Sequence, residues 1–186
     1  MYGINELTKG VLIEIDGVPY RITENQHVSM GRGGAQMRTK IKNLLTGAVT
    51  ERTWRAAEKA TPAELERPKM QYLYPEGNDM HFMDTDTYEQ VQVSTDILGD
   101  QAQYLTEGTV VQLFKFNDRI IGIDMPNSVY LKIAHTEPGV KGDSATGSLK
   151  DATLETGTKI LVPLFIKEGD EVKVDTRNGA YIERKK

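Results

Sequence analysis

Short β-branched runs separated by two-residue turn pairs constrain this chain more than any other feature. Residues 11–15 and 18–22 flank Asp16-Gly17, residues 108–116 and 120–125 flank Asn117-Asp118, and Asn178-Gly179 precedes residues 180–183. Asp-Gly and Asn-Gly accept the positive φ angles of a tight hairpin, so each pair predicts two antiparallel strands. The 186 residues therefore read as all-β, with one short helix capped at Ser94-Thr95-Asp96 and running through Leu105. Pro19 has no N–H to give a ladder, which predicts a sheet edge there.

Spacing and charge divide the chain into three modules. Residues 1–64 hold about five strands, which suits a small closed or half-closed barrel, and part of 56–68 reads as linker. Residues 65–128 give five short strands and the small helix, the pattern of an OB-like barrel, and residues 129–186 read as a second barrel of that kind. A faint repeat supports two related barrels: Gly108-Thr109-Val110-Val111 resembles Gly157-Thr158-Lys159-Ile160, 49 residues on. The modules carry 9 basic and 7 acidic, 4 and 11, and 10 and 9 side chains, an acidic middle between mildly basic ends.

The chemistry-bearing stretch is Val28-Ser29-Met30-Gly31-Arg32-Gly33-Gly34-Ala35-Gln36-Met37. Two strand ends meet in a glycine-rich tip that sets one long cation, Arg32, among small neighbours. Below it Arg38, Lys40 and Lys42 alternate with Met37, Thr39 and Ile41, so one strand face is a basic stripe. On its residues alone the stripe reads first as a solvated strand face, and it also suits an RNA backbone.

The exclusions are as informative. Without Cys there is no disulfide framework and no thiolate nucleophile or metal ligand. His27, His81 and His135 are scattered without metal-ligand spacing, and Asp84-Thr85-Asp86 lacks the Gly and distal Glu of a calcium loop. Gly31-Arg32-Gly33-Gly34 is neither a P-loop nor a dinucleotide fingerprint, and no nucleophile elbow is present. No signal peptide and no apolar run near the ~18 residues of a membrane span is present, so the expectation is a cytoplasmic, non-enzymatic binding protein.

Residues 150–169 carry Lys150, Ala152, Gly157, Ile160, Val162, Pro163, Ile166 and Gly169. This pattern resembles the signature of bacterial translation elongation factor P, with further agreement at residues 135–143 and 174–181. The resemblance covers essentially the whole chain. It implies an SH3/KOW-like barrel followed by two OB barrels in an L-shaped, tRNA-like arrangement. It implies a monomer that binds the 70S ribosome between the P and E sites, beside the peptidyl-tRNA, and relieves stalling on consecutive prolines by stimulating peptide-bond formation with slow prolyl-tRNA. Arg32 takes the position that meets the CCA end, framed by Met30, Gly31, Gly33 and Gly34. Arg38, Lys40 and Lys42 would follow the tRNA backbone. The loop Gly142, Asp143, Ser144, Thr146 and Gly147 corresponds to a family loop near the E-site mRNA and small subunit. The family tip is often extended by a modifying enzyme. Lysylation needs a lysine, so Arg32 stands either rhamnosylated, as in one arginine-type branch, or unmodified. No cofactor is implied. A general RNA-binding or assembly module and an elongation-factor-P-like paralogue are the alternative readings.

Overall fold

The computed structural model describes residues 1–31, 34–139 and 148–186, apart from the Met30 side chain. Among these residues the protein is all-β, with three five-stranded antiparallel sheets and one short α-helix. Two compact units divide the chain: Met1–Glu66 with Lys115–Ile121, and Arg67–Phe114 with Gly122–Lys186.

The first sheet comprises β1 (Leu12–Ile15), β2 (Val18–Met30), β3 (Gly34–Asn43), β4 (Val49–Arg55) and β5 (Thr61–Pro62) in the order β4-β3-β2-β1-β5. Asp16 and Gly17 take φ of 52° and 76°, the primed turn expected of an Asp-Gly pair. Leu7, Ile13, Ile22, Met37, Ile41 and Trp54 are buried beneath the sheet.

Three local readings change. Pro19 is buried in a central strand rather than at an edge. It lies opposite Glu14, one pair beyond the turn-closing pair Ile15–Val18, a position that exchanges no hydrogen bonds with β1, and β3 pairs only from Tyr20 onward. Its missing N–H therefore costs no ladder bond. Residues 23–27 join what read as two runs into one 13-residue strand. Glu24 to His27 are exposed, so neither face is apolar and no alternation marks them. Within the stretch taken partly as linker, Pro62 pairs with Ile13, and Ala60 bridges to Tyr2.

The second sheet comprises β6 (Lys69–Glu76), β7 (Asp79–Asp84), β8 (Gln90–Ser94), β9 (Val110–Phe116) and β10 (Arg119–Asp124), ordered β10-β9-β6-β7-β8. The third comprises β11 (Ser128–Thr136), β12 (Leu149–Leu154), β13 (Lys159–Pro163), β14 (Glu171–Asp175) and β15 (Tyr181–Arg184), ordered β13-β12-β11-β14-β15. Numbered within each sheet, both read 3-2-1-4-5, so the tandem relation is real at the level of topology. The sequence repeat aligned the wrong strands, however: Gly108 leads into strand 4 of its sheet and Gly157 into strand 3 of the next. The topological counterpart of Gly108 is Gly169, and both take φ of 84° just before strand 4.

Ser94 caps α1 (Thr95–Leu98), its Oγ accepting the Asp96 amide at 3.3 Å. The expected helix through Leu105 stops at Gly99, whose φ of 80° breaks the α-helical path. A 3-10 turn over Asp100–Tyr104 follows. That turn joins the second sheet to the third. Gln101 Nε2 donates to Thr176 Oγ1 at 3.4 Å, and Thr158 Oγ1 donates to the Gln103 carbonyl at 3.0 Å. A Cβ on Gly179 would lie 2.5 Å from the Tyr104 hydroxyl, and Gly179 also needs its φ of 74°.

Candidate functional site

The β2–β3 hairpin is a ribbon that outruns its neighbours. Pairing of β1 with β2 ends at Arg21, and β4 ends opposite Gln36 through Arg55. Beyond that the ribbon continues as two strands only, through the pairs Ser29–Ala35 and Met30–Gly34. Gly34 takes φ of 77°, which a side chain would strain, whereas Gly31 is uncrowded. Arg32 and Gly33 lie outside the described residues.

The base of the ribbon is set by a buried polar pair. Thr39 is 1% exposed, its Oγ1 receives the Trp54 indole N–H at 3.0 Å, and it donates to the Arg52 carbonyl at 3.1 Å. Every polar atom of this pair is therefore satisfied inside the core. The Arg52 guanidinium stacks over Trp54, 4.1 Å from the ring centroid.

Alternation along β3 follows the expectation. Met37, Thr39 and Ile41 are buried, Arg38 and Lys42 are exposed, and Lys40 is half-buried on their face. The charge of that face differs from a plain basic stripe. Lys40 lies between Glu24 on β2 and Glu51 on β4 and forms a 2.8 Å ion pair with Glu24. That hydrogen bond, with the charges of Glu24 and Glu51, raises the Lys40 pKa above its ordinary value. Arg38 faces Gln26 and Thr53, and Lys42 faces Arg21 and Val49. Among the described residues, Arg38, Lys42 and Arg21 thus have no ion-pair partner. Arg21 and the two carboxylates escaped the sequence reading, although counting residues outward from the tip places Lys40 opposite Glu24.

The second candidate region, residues 142–147, lies outside the described residues with Gly142, Asp143, Ser144, Thr146 and Gly147. Its flanks are firmly held. A Cβ on Gly139 would lie 2.5 Å from the Leu164 carbonyl, so only glycine fits that approach. Lys150 Nζ donates to the Glu137 carbonyl at 2.6 Å. His135 Nδ1 lies 2.7 Å from Glu168, which also accepts the Thr136 amide at 3.3 Å.

The remaining motifs are structural. Asp84 Oδ1 accepts the amides of Asp86 and Thr87 at 2.8 and 3.0 Å, an Asx turn. His81 bonds Glu76 at 2.7 Å and stacks on Tyr74. Among the described residues no three His, Asp or Glu side chains are grouped to hold a metal, and no helix is long and apolar enough to cross a membrane.

Three family models match in chain order: the elongation factor P KOW-like domain over residues 3–60, the elongation factor P OB domain over 65–123, and elongation factor P, C-terminal, over 129–184. Elongation factor P of Moorella thermoacetica is 50% identical over 184 residues, covering 99% of this chain and all of that protein. That of a Synechococcus strain is 48% identical with the same coverage. Among solved structures, the eukaryotic translation initiation factor 5A from Methanococcus jannaschii aligns with a TM-score of 0.54 and 22% identity. It covers 66% of this chain and 94% of that one, a likeness of fold.

Proposed function

The chain belongs to the elongation factor P family of translation elongation factors, and we propose that it binds the ribosome between the P and E sites and relieves stalling at consecutive prolines. In this reading the ribosome, in the cytoplasm, supplies the catalysis. The chain, acting as a monomer, is a positioning factor that makes slow prolyl-tRNA a better substrate. The observation that carries it is the β2–β3 ribbon, which extends past its sheet as far as the pair Met30–Gly34, the residues between which Arg32 falls in the sequence.

Arginine is always charged and presents five donors in a planar fork, so Arg32 suits the phosphates and riboses of a tRNA CCA end. Arg38 and Lys42 hold the tRNA backbone by charge, without reading sequence. Lys40 joins them by exchanging Glu24 for phosphate, because an exposed ion pair is worth only about 0–1 kcal/mol. The loop at 142–147 meets E-site mRNA or the small subunit through backbone N–H groups and the Thr146 hydroxyl, since Asp143 repels phosphate. Arg32 is also the residue a rhamnosylating enzyme would extend. Intact-mass measurement of the protein from its native host, mapped to the tip peptide, decides between the extended and the bare guanidinium.

The test is reconstituted translation of a message encoding consecutive prolines. Arg32→Ala is expected to leave folding intact and abolish relief of the stall, whereas full activity of that variant overturns the tip-centred mechanism. If removing Arg38 and Lys42 costs more than removing Arg32, and RNA binding persists without ribosomes, the protein is a general RNA-binding module.

A further inference from the structure

The second unit holds a groove of about 800 Å3 whose charge is of one sign. Five carboxylates line it, those of Asp79, Asp96, Asp100, Glu107 and Glu155, and among the described residues no Lys, Arg or His does. Asp79 accepts from Gln92 at 2.7 Å, Asp96 from Asn78 at 3.4 Å, and Glu155 from the Lys132 amide at 2.9 Å. These are neutral donors, so none of the charge is cancelled. Asp100 and Glu107 are exposed and have neither a hydrogen bond nor an ion pair among the described residues.

The groove also contains an unsatisfied polar side chain. Tyr72 is 4% exposed and its ring packs against Phe82 at 5.5 Å. Its hydroxyl has no hydrogen-bond partner among the described residues, while every fully enclosed side-chain N or O atom has one. The Tyr72 hydroxyl therefore opens into the groove it lines. Burial, reinforced by the charge of Glu107, raises its pKa and keeps it a neutral hydroxyl at pH 7. Met80 and Leu105, both buried, line the same groove with apolar surface.

A hydroxyl free to accept, apolar surface beside it and carboxylates around it match a long cationic side chain. The aliphatic stem lies on Met80 and Leu105 while the head group reaches oxygen acceptors. Phosphate is repelled here, which excludes an RNA backbone. The carboxylates do not converge on one point and lie on two sheets, Glu155 following β12 and the others flanking β7 and α1. Such a spread suits several cations carried on one chain. We infer that this groove docks a Lys/Arg-rich polypeptide segment of a partner protein, with one cationic side chain against the Tyr72 hydroxyl and its neighbours at Asp100 and Glu107. The inference rests on the second unit alone and is independent of the ribbon.

The test is fluorescence anisotropy of the full-length protein with a labelled peptide alternating Lys/Arg and Leu. The peptide is expected to bind and to weaken as salt rises. The double variant Asp100→Asn/Glu107→Gln should weaken binding about tenfold. Tyr72→Phe, which keeps the ring packing, should weaken it several-fold with an unchanged thermal midpoint. Glu168→Gln, away from the groove, should leave it unchanged. No binding, or binding indifferent to both groove variants, overturns the inference. Competition by spermidine as strong as the peptide's own affinity overturns it in favour of a small polyamine site, and an RNA oligonucleotide displacing the peptide overturns it in favour of nucleic acid.

Discussion

The β2–β3 ribbon and the acidic groove are opposite solutions to presenting charge. On the ribbon, cations and carboxylates interleave: Lys40 is paired with Glu24 and flanked by Glu51. In the groove no carboxylate has a cationic partner among the described residues. The mechanical settings differ too. The ribbon ends as two strands with no third beside them, whereas the groove lies where the second and third sheets are tied through Gln101, Thr158 and Gly179. A surface ion pair is cheap to break, so in the proposed function the ribbon holds the Lys40 charge in reserve for a partner. The groove keeps its charge unspent on a fixed frame, which favours selection by complementarity.

The two surfaces should separate most sharply at Trp54. Its indole is 2% exposed and donates to Thr39, so Trp54→Ala leaves a cavity and removes one of the two hydrogen bonds of the buried Thr39 hydroxyl, which keeps its bond to the Arg52 carbonyl. The expected loss is about 3–5 kcal/mol, read as an earlier urea transition of the first unit. If the two surfaces are independent, peptide binding at the groove survives while stall relief is lost.

Much of the ribbon was legible in the sequence and almost none of the groove. The ribbon announces itself because a hairpin is local: Asp16-Gly17, the glycine-rich tip and the alternation of Met37, Thr39 and Ile41 fix turns, faces and register from neighbours alone. What escaped there was the polar run 23–27, which has no buried face to create a pattern. The groove is non-local. Tyr72 and Asp100 are nearly thirty residues apart, and Glu155 comes from another sheet. The negative charge of the middle module could be counted, but not its spread around a groove lined by the buried Tyr72. The repeat failed for a related reason. A glycine with positive φ precedes several strands, so Gly108 matched Gly157 by local role while topology pairs it with Gly169.

Gly179 tests whether the groove depends on its fixed frame. Gly179→Ala would place a methyl 2.5 Å from the Tyr104 hydroxyl and strain a φ of 74°. The expected loss is about 1–3 kcal/mol, in the second unit's unfolding alone, with weakened peptide binding because Glu155 shifts relative to Asp100. The turn holding Gly179 adds a smaller, pH-dependent contribution. Two side-chain hydrogen bonds from Arg177, at 3.1 and 2.7 Å, and its amide at 2.8 Å lower the Asp175 pKa to about 2. The unfolded value is about 3.9, so this stabilisation is complete above that pH and disappears as pH falls through about 2. The urea midpoints of the native protein and Arg177→Ala should differ by a constant amount between pH 5 and 7 and draw together as pH falls through about 2.

The smallest effect probes the ribbon's reserve directly. Replacing Glu24 and Glu51 with Gln removes both carboxylates beside Lys40 and leaves the backbone register untouched. Stability should change by less than about 1 kcal/mol, because exposed pairs contribute little. RNA affinity should rise, and the slope of log affinity against log salt should steepen by about 0.7–0.9, the value of one further phosphate contact. An unchanged slope would mean that Lys40 already engages RNA with Glu24 in place, or never does. Lys40→Gln in the native background separates the two, since it flattens the slope in the first case and leaves it unmoved in the second. In either event the ribbon would present a fixed charge, as the groove does, and the contrast between the two surfaces would reduce to sign alone.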